Sequence, residues 1–212
     1  FYHQRDVLME MLPKFGITVV WGKAYEADDL IYSLSKRVVK KKDTAIILSS
    51  DKDFHQLITK NTWVESPRFE ATLKPHNFTH YVPEYTPETC VDYLCLDGDK
   101  SDNIPGVPSM GPATVGKFLA KYGSVVDFLK QKDDSSFGKI TKVSLEAIWA
   151  RNKKLIDLEL FNKNYLQDGS FHIPIVKRGR FDWVGISKYV NEYDINTFTD
   201  PTFIAPFKKL KR

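Results

Sequence analysis

Cysteine is scarce: Cys90 and Cys95 are the two in a chain of 212 residues. Five positions apart on a helix, they would point about 140° away from each other, which argues against a disulfide or zinc framework. No apolar run approaches the roughly 18 residues of a membrane-spanning helix, and no charged-then-apolar leader opens the sequence. An intracellular, reducing compartment, the cytoplasm, is the expectation. A phosphate-loop Lys-Ser/Thr signature, a Gly-x-Ser-x-Gly elbow, a dinucleotide fingerprint and internal repeats are also missing. Apolar material is plentiful by contrast. At 42% hydrophobic and 13% aromatic residues the chain can bury the core of one domain with a smaller companion, and disorder is excluded. It opens at Phe1, and Asp6 to Leu12 already reads as the middle of an amphipathic helix, so the expectation is a truncated start.

Charge divides along the chain. Residues 1–110 hold 13 basic and 16 acidic side chains, a net of −3, and residues 111–212 hold 18 and 11, a net of +7. An acidic half before a basic one suits a protein that holds cations in one place and a polyanion in another, although two differently decorated solvated surfaces would look the same.

Residues 16–21 and 44–50 are β-branched or continuously apolar runs that read as buried parallel strands, with a helix over 24–41 between them. That is a β-α-β unit. A short helix-like stretch over 54–59 precedes a third strand over 62–66, so the predicted architecture is α/β, a doubly wound, mainly parallel sheet. Thr86 as N-cap with Pro87 at the first helical position starts a helix through Leu96. From Gly98 the chain changes character. A cluster of glycine and proline over 105–112 precedes a helix over 113–122 that Gly123 closes, and 125–131, 144–160 and 184–190 read as helical. The expected division is an α/β core over 1–97 and a helical region over 98–212, with Lys208 to Arg212 a flexible basic tail.

Three acidic clusters fall where such a sheet gathers ligands, at the carboxyl ends of its strands. Glu26, Asp28 and Asp29 open the first helix, Asp51 and Asp53 follow the second strand, and Asp99 and Asp102 flank Lys100-Ser101. Each cluster alone has a structural reading: helix-dipole stabilisers, an N-cap with a turn residue, and turn formers. Together, seven carboxylates at one edge would repel one another unless cations lay among them, and hard oxygen donors select Mg²⁺ or Mn²⁺. Two such ions serve phosphoryl hydrolysis by activating water and stabilising the leaving oxygen.

Residues 24–29 (Ala-Tyr-Glu-Ala-Asp-Asp), 48–57 (Leu-Ser-Ser-Asp-Lys-Asp-Phe-His-Gln-Leu) and 96–107 (Leu-Asp-Gly-Asp-Lys-Ser-Asp-Asn-Ile-Pro-Gly-Val) closely resemble, in order, the motifs of the 5′ nuclease family. That family comprises phage and bacterial flap endonucleases, 5′-3′ exonucleases and the 5′ nuclease domain of DNA polymerase I. The resemblance covers about residues 15–130. It implies that Glu26, Asp28, Asp29, Asp51, Asp53, Asp99 and Asp102 bind metal or support its ligands. It implies further a metal-dependent, structure-specific nuclease of DNA replication or repair, from a phage or bacterium. Its substrates would be branched, flapped or nicked duplex DNA and RNA primers in RNA/DNA hybrids.

Residues 106–117 resemble the family's helix-three-turn-helix, which grips a duplex backbone and commonly holds K⁺ through loop carbonyls. Gly106, Val107, Ser109, Gly111, Thr114, Lys117 and Lys121 are the candidate DNA contacts. Ala113 stands where many relatives carry lysine, and Ser109 where glycine is frequent, with Lys117 and Lys121 as substitutes. The family also begins with a strand bearing another metal-binding aspartate and with a helical arch, neither of which this sequence contains. A missing N-terminal segment or a separate chain would supply them, and a sheet without that strand would leave an edge open. The alternative reading is a noncatalytic module that binds branched DNA, or half of a split nuclease. His55 is expected to pack or hydrogen-bond locally, and Phe69, Phe78, Tyr81 and Tyr85 to pack.

Overall fold

The computed structural model describes residues 2–22, 25–131, 136–137, 140–166 and 175–210. Ala24, expected to open a helix, and Lys211-Arg212, the end of the expected tail, lie outside them. Along the chain, α1 (Tyr2–Met11) runs into a 3₁₀ turn (Leu12–Lys14), and β1 (Val19–Trp21) precedes α2 (Ala27–Lys40). After β2 (Ala45–Leu48) a 3₁₀ helix (Lys52–Leu57) leads to β3 (Thr62–Ser66), β4 (Ala71–Leu73) and the single turn α3 (Phe78–Tyr81). Another 3₁₀ turn (Pro87–Thr89) starts α4 (Cys90–Asp97), where the Thr86 amide donates to Thr89 Oγ1 at 3.0 Å. The hairpin β5 (Gly98–Asp99) and β6 (Ile104–Pro105) precedes α5 (Pro112–Tyr122) and α6 (Val125–Lys130). A second hairpin, β7 (Ser136–Phe137) and β8 (Ile140–Thr141), is followed by α7 (Lys142–Ile156) and α8 (Leu158–Leu166), and then by β9 (Ile175–Lys177), α9 (Trp183–Tyr193) and α10 (Pro201–Lys208).

These elements form two compact units, one of residues 27–171 and one of residues 1–26 with 172–212. The larger unit carries the three-stranded sheet β2-β3-β4, in which β2 and β3 pair in parallel and β3 and β4 antiparallel. Its core runs continuously from the sheet into the helices, from Ile47, Val64 and Leu73 through Phe78 and Leu94 to Phe118, Phe128, Leu145 and Ile156. The expected 97/98 junction lies inside this unit, where α4 passes directly into β5.

Strand pairing departs from the expected β-α-β unit. β1 takes its ladder from β9, antiparallel, with Val20 opposite Val176, and is not in the sheet of β2. The partners are more than 150 residues apart, so no local pattern announces them. The continuously apolar run over 44–50 suggested burial on both faces, yet β2 is an edge strand with Ala45 and Ile47 buried and Ile46 and Leu48 61% and 73% exposed. The smaller unit has its own core of Met11, Phe15, Ile186, Val190 and Ile204, ringed by Phe181, Phe198, Phe203 and Phe207. Edge-to-face packing of Phe15 on Phe198 and Phe207, at 5.3 and 5.0 Å between centroids, closes it.

Candidate metal centre and phosphate-facing turn

The site is built where β2 ends and where α4 ends. The chain leaves β2 through Ser49, whose Oγ accepts the Asp51 amide at 3.1 Å, and Asp51 in turn caps the following 3₁₀ helix by accepting the Asp53 amide at 2.9 Å. This cap turns the Asp53 side chain inward. On the other side, the left-handed Gly98 (φ 82°) bends the chain off α4 into β5, placing Asp99 in the interior at 4% exposure. Asp99 Oδ1 accepts the Ser101 amide at 2.8 Å and the Ser101 hydroxyl, and Lys52 Nζ lies 3.0 Å from Asp99 Oδ2.

The result is a convergence of Asp53, Asp99 and exposed Asp102, each offering a carboxylate oxygen within 4.8 Å of the others. Asp53 Oδ1 is buried and has no hydrogen-bond partner. Burial, then the charges of Asp51 and Asp99, push the Asp53 carboxyl up to about 7, against the pull of Lys52; Asp102 adds to the rise. For Asp99, burial pushes upward, but the hydrogen bonds from Ser101 and Lys52 outweigh it and hold the carboxyl below its usual range. An orphaned buried oxygen, three converging carboxylates and an ammonium resting on one of them fit a hard cation with oxygen ligands.

Of the seven carboxylates named from the sequence, the structure brings these three together. Asp51 stands beside them as a cap and as a charge on Asp53. Asp28 and the buried Asp29 occupy the first turn of α2 and fall outside the trio, and Glu26 belongs to the other compact unit. Two residues that sequence reasoning left unassigned hold the site together, Lys52 and Ser101. Ser101 was visible as the serine two positions after an aspartate, a side-chain-to-backbone turn signal; for Lys52 no local signal existed. His55 and Tyr85 pack as expected, with Nδ1 and the phenol oxygen 2.8 Å apart in the core.

Beyond β6 the backbone is clamped again. The Val107 amide donates to Leu96 O at 2.7 Å and the Met110 amide to Val107 O at 3.1 Å, with both side chains buried, so Pro108, Ser109 and Gly111 form an exposed tip. Gly111 caps α5, its carbonyl accepting the Thr114 amide at 2.8 Å, and Pro112 opens the helix. Lys117 and Lys121 share one exposed helical face four residues apart. Ser109 has φ 66°, which explains why glycine suits this position. Relief of about 1–2 kcal/mol of left-handed strain exceeds the added freedom of the unfolded chain, about 0.4–1 kcal/mol. Ser109→Gly therefore raises stability by up to about 1 kcal/mol in urea denaturation; a destabilised variant would show that the Ser109 side chain contributes more than its backbone strain costs.

The fold class is an α/β layer with an acidic edge, continued into a helical region through a backbone-presenting turn. Comparison with known proteins makes the class specific. Residues 1–88 match the family model described as 5′-3′ exonuclease, N-terminal resolvase-like domain, and residues 85–160 match its companion, 5′-3′ exonuclease, C-terminal SAM fold. The chain belongs to the 5′-3′ exonuclease family. It is 36% identical over 160 residues to a 5′-3′ exonuclease of Aquifex aeolicus, covering 74% of this chain and 55% of that protein. With DNA polymerase I of Mycobacterium bovis it shares 32% identity over 167 residues, 74% of this chain and 18% of the polymerase. The chain thus spans part of the length of these relatives. Among solved structures, a bacteriophage T5 flap endonuclease variant, crystallised as a pseudo-enzyme-product complex with DNA and metal ions, superposes with a TM-score of 0.58 at 23% identity, over 68% of this chain and 55% of that one. Among the described residues, no helix is long and apolar enough to cross a membrane.

Proposed function

We propose that this chain is the metal-binding and DNA-gripping part of a structure-specific 5′ nuclease, a flap endonuclease and 5′-3′ exonuclease that hydrolyses phosphodiesters in branched or nicked DNA and in RNA/DNA hybrids. The observation that carries this reading is the buried, unpartnered Oδ1 of Asp53, whose carboxylate converges with those of Asp99 and Asp102. Asp53, Asp99 and Asp102 would hold Mg²⁺ or Mn²⁺, with Asp28, Asp29 and Asp51 serving a second ion or its waters. Bound there, the ions supply a Lewis acid and a nucleophilic water at neutral pH. Ser101 and the Asp51 cap orient the carboxylates, and Lys52 neutralises Asp99 until an ion replaces it.

Gly106, Val107, Ser109, Gly111 and Thr114 present backbone to a phosphate, with K⁺ on the loop carbonyls as the family implies, and Lys117 and Lys121 add positive charge along the duplex. The reaction belongs in the cytoplasm of a bacterium or phage-infected cell. With a 5′-labelled flap duplex, cleavage should require Mg²⁺ or Mn²⁺, stop on chelation, and fall roughly 100-fold or more in Asp99→Asn. Unchanged turnover in that folded variant would overturn the assignment.

The open edge of β2, with Ile46 and Leu48 in solvent, supports a second reading, in which this chain binds branched DNA without cutting it until another segment or a separate chain adds a strand there. Salt-sensitive binding with no turnover at any metal concentration would select it.

A further inference from the structure

The smaller compact unit carries a cleft that the metal centre and the turn do not use. Two arginines, Arg178 and Arg180, line an opening of about 780 Å³ together with Gly16, Thr18, Phe181 and Leu210. Both are exposed, and among the described residues neither has an acidic partner. Their neighbours are already neutralised: Lys177 Nζ lies 2.6 Å from Glu10 Oε2, and Lys14 Nζ 3.9 Å from Asp182 Oδ2. Among the described residues, the two guanidiniums are therefore in no ion pair, although Glu10 and Asp182 line an opening beside them.

The backbone between and beside them is fixed. A Cβ on Gly179 would stand 2.3 Å from Ile17 O and from Gly16 C, so only glycine lets the two segments touch. The Arg180 amide donates to Pro13 O at 2.8 Å and the Asp182 amide to Lys14 O at 2.7 Å, while Phe181 bridges to Phe15. Two residues apart on such a clamped segment, the arginines start at most about 7 Å from each other. That repeat suits successive anionic groups of a chain better than one small anion. The cleft offers guanidinium, hydroxyl, backbone and apolar surface, and the carboxylates near the arginines, Glu10 and Asp182, lie in an adjoining opening, where each faces a lysine.

We infer that the Arg178–Arg180 cleft is a second phosphate-binding surface for the DNA backbone, separate from the turn before α5. Guanidiniums bind phosphate oxygens in bidentate fashion and remain charged at any working pH, and contacts to the phosphate backbone carry no sequence information of their own. Lys208 and Lys209, next to Leu210 at the cleft, extend the positive charge. The inference rests on the reading that this chain binds DNA.

Binding of a fluorescent flap duplex to the full chain, followed by anisotropy from 50 to 200 mM salt in chelator, tests it. The double variant Arg178→Gln with Arg180→Gln should lower the slope of log K against log salt by about 2, and Arg178→Lys with Arg180→Lys should restore the slope. Lys41→Gln with Lys42→Gln, two exposed lysines in the other unit, should leave it unchanged. An unaltered slope in the glutamine variant, or an equal loss in the lysine control, overturns the inference while leaving the turn before α5 as the DNA contact. Absence of binding by the unsubstituted chain removes the nuclease reading and this one together.

Discussion

Replacing Asp53 by asparagine should stabilise the metal-free chain at pH 8 by about 2–4 kcal/mol and abolish the stabilisation that Mg²⁺ confers. The carboxyl titrates at about 7 in the fold because it is buried and faces Asp51, Asp99 and Asp102, whereas in the unfolded chain it titrates near 3.9. Between those values the native state holds the extra proton, so stability falls as pH rises from about 4 to 7 and stays low above. Three pH units correspond to roughly 4 kcal/mol, an upper limit for a group that still meets some solvent. Asparagine keeps the shape and removes the charge, so its gain is complete at pH 8 and vanishes near pH 4.

His55 works in the opposite sense. Burial first, helped by the charges of Arg68 and Lys52 and opposed by Asp51, drives its pKa down to about 4. Its contribution, up to about 3 kcal/mol, is present above about pH 6.5 and lost as pH falls toward 4. In the wild type the two slopes largely cancel, giving a flat profile from pH 4.5 to 6.5 in chelator. In Asp53→Asn the histidine slope loses its main opponent, although the upward-shifted Asp97 still opposes it in part, and stability should climb with pH. Urea denaturation across this range, with chelator and with Mg²⁺, reads both effects. Parallel curves for the two proteins would mean that Asp53 is not the strained carboxylate of this edge.

The second large effect concerns the crossing of Gly98 and Gly106. A Cβ on Gly106 would lie 2.2 Å from Asp97 O and 2.6 Å from Leu96 O, and one on Gly98 would lie 2.3 Å from the Gly106 nitrogen. All of these are backbone atoms, which cannot swing aside as a side-chain tip could. Gly106→Ala must therefore part the hairpin from the end of α4, breaking the 2.7 Å bond from Val107 N to Leu96 O and shifting Asp99. The expected loss is about 4 kcal/mol or more, at the far end of what single substitutions do. Gly111→Ala is the control. A Cβ there meets nothing within 4 Å and φ is −80°, so the change should stay within about 0.5 kcal/mol, the unfolded-state gain offsetting a poorer cap. Equal denaturation midpoints for the two variants would contradict the close approach.

What could be read from the sequence follows the range of the interactions. β3 was legible at its observed bounds because five residues alternate between buried and half-buried positions. β4 was not, being three residues reached through a turn in which Glu70 takes φ 49°. The long helix expected over 144–160 is two helices, since Asp157 leaves helical backbone (ψ 98°) and its Oδ1 accepts the Leu160 amide at 2.9 Å. At the site, spacing and resemblance pointed to the acidic clusters, and Asp53, Asp99 and Asp102 do converge. Nothing local told these three from Asp28, Asp29 and Asp51, because the distinction is made by burial and by the meeting of chain ends some 45 residues apart. The antiparallel pairing of β1 with β9 was beyond reach for the same reason.

Asn152 gives the arrangement a further property. Buried in α7, its amide group donates both to Cys95 O near the end of α4, at 2.8 Å, and to Pro105 O in β6, at 2.9 Å. Arg151 reaches the same Pro105 carbonyl at 2.9 Å. The end of α4, which leads to Asp99, and the strand that leads to the exposed turn are therefore held to one helix from behind. In the nuclease proposed above, such a tie is a ruler: the number of nucleotides between grip and cut would be set by the spacing that α7 fixes, not by the sequence of bases that happens to lie across it.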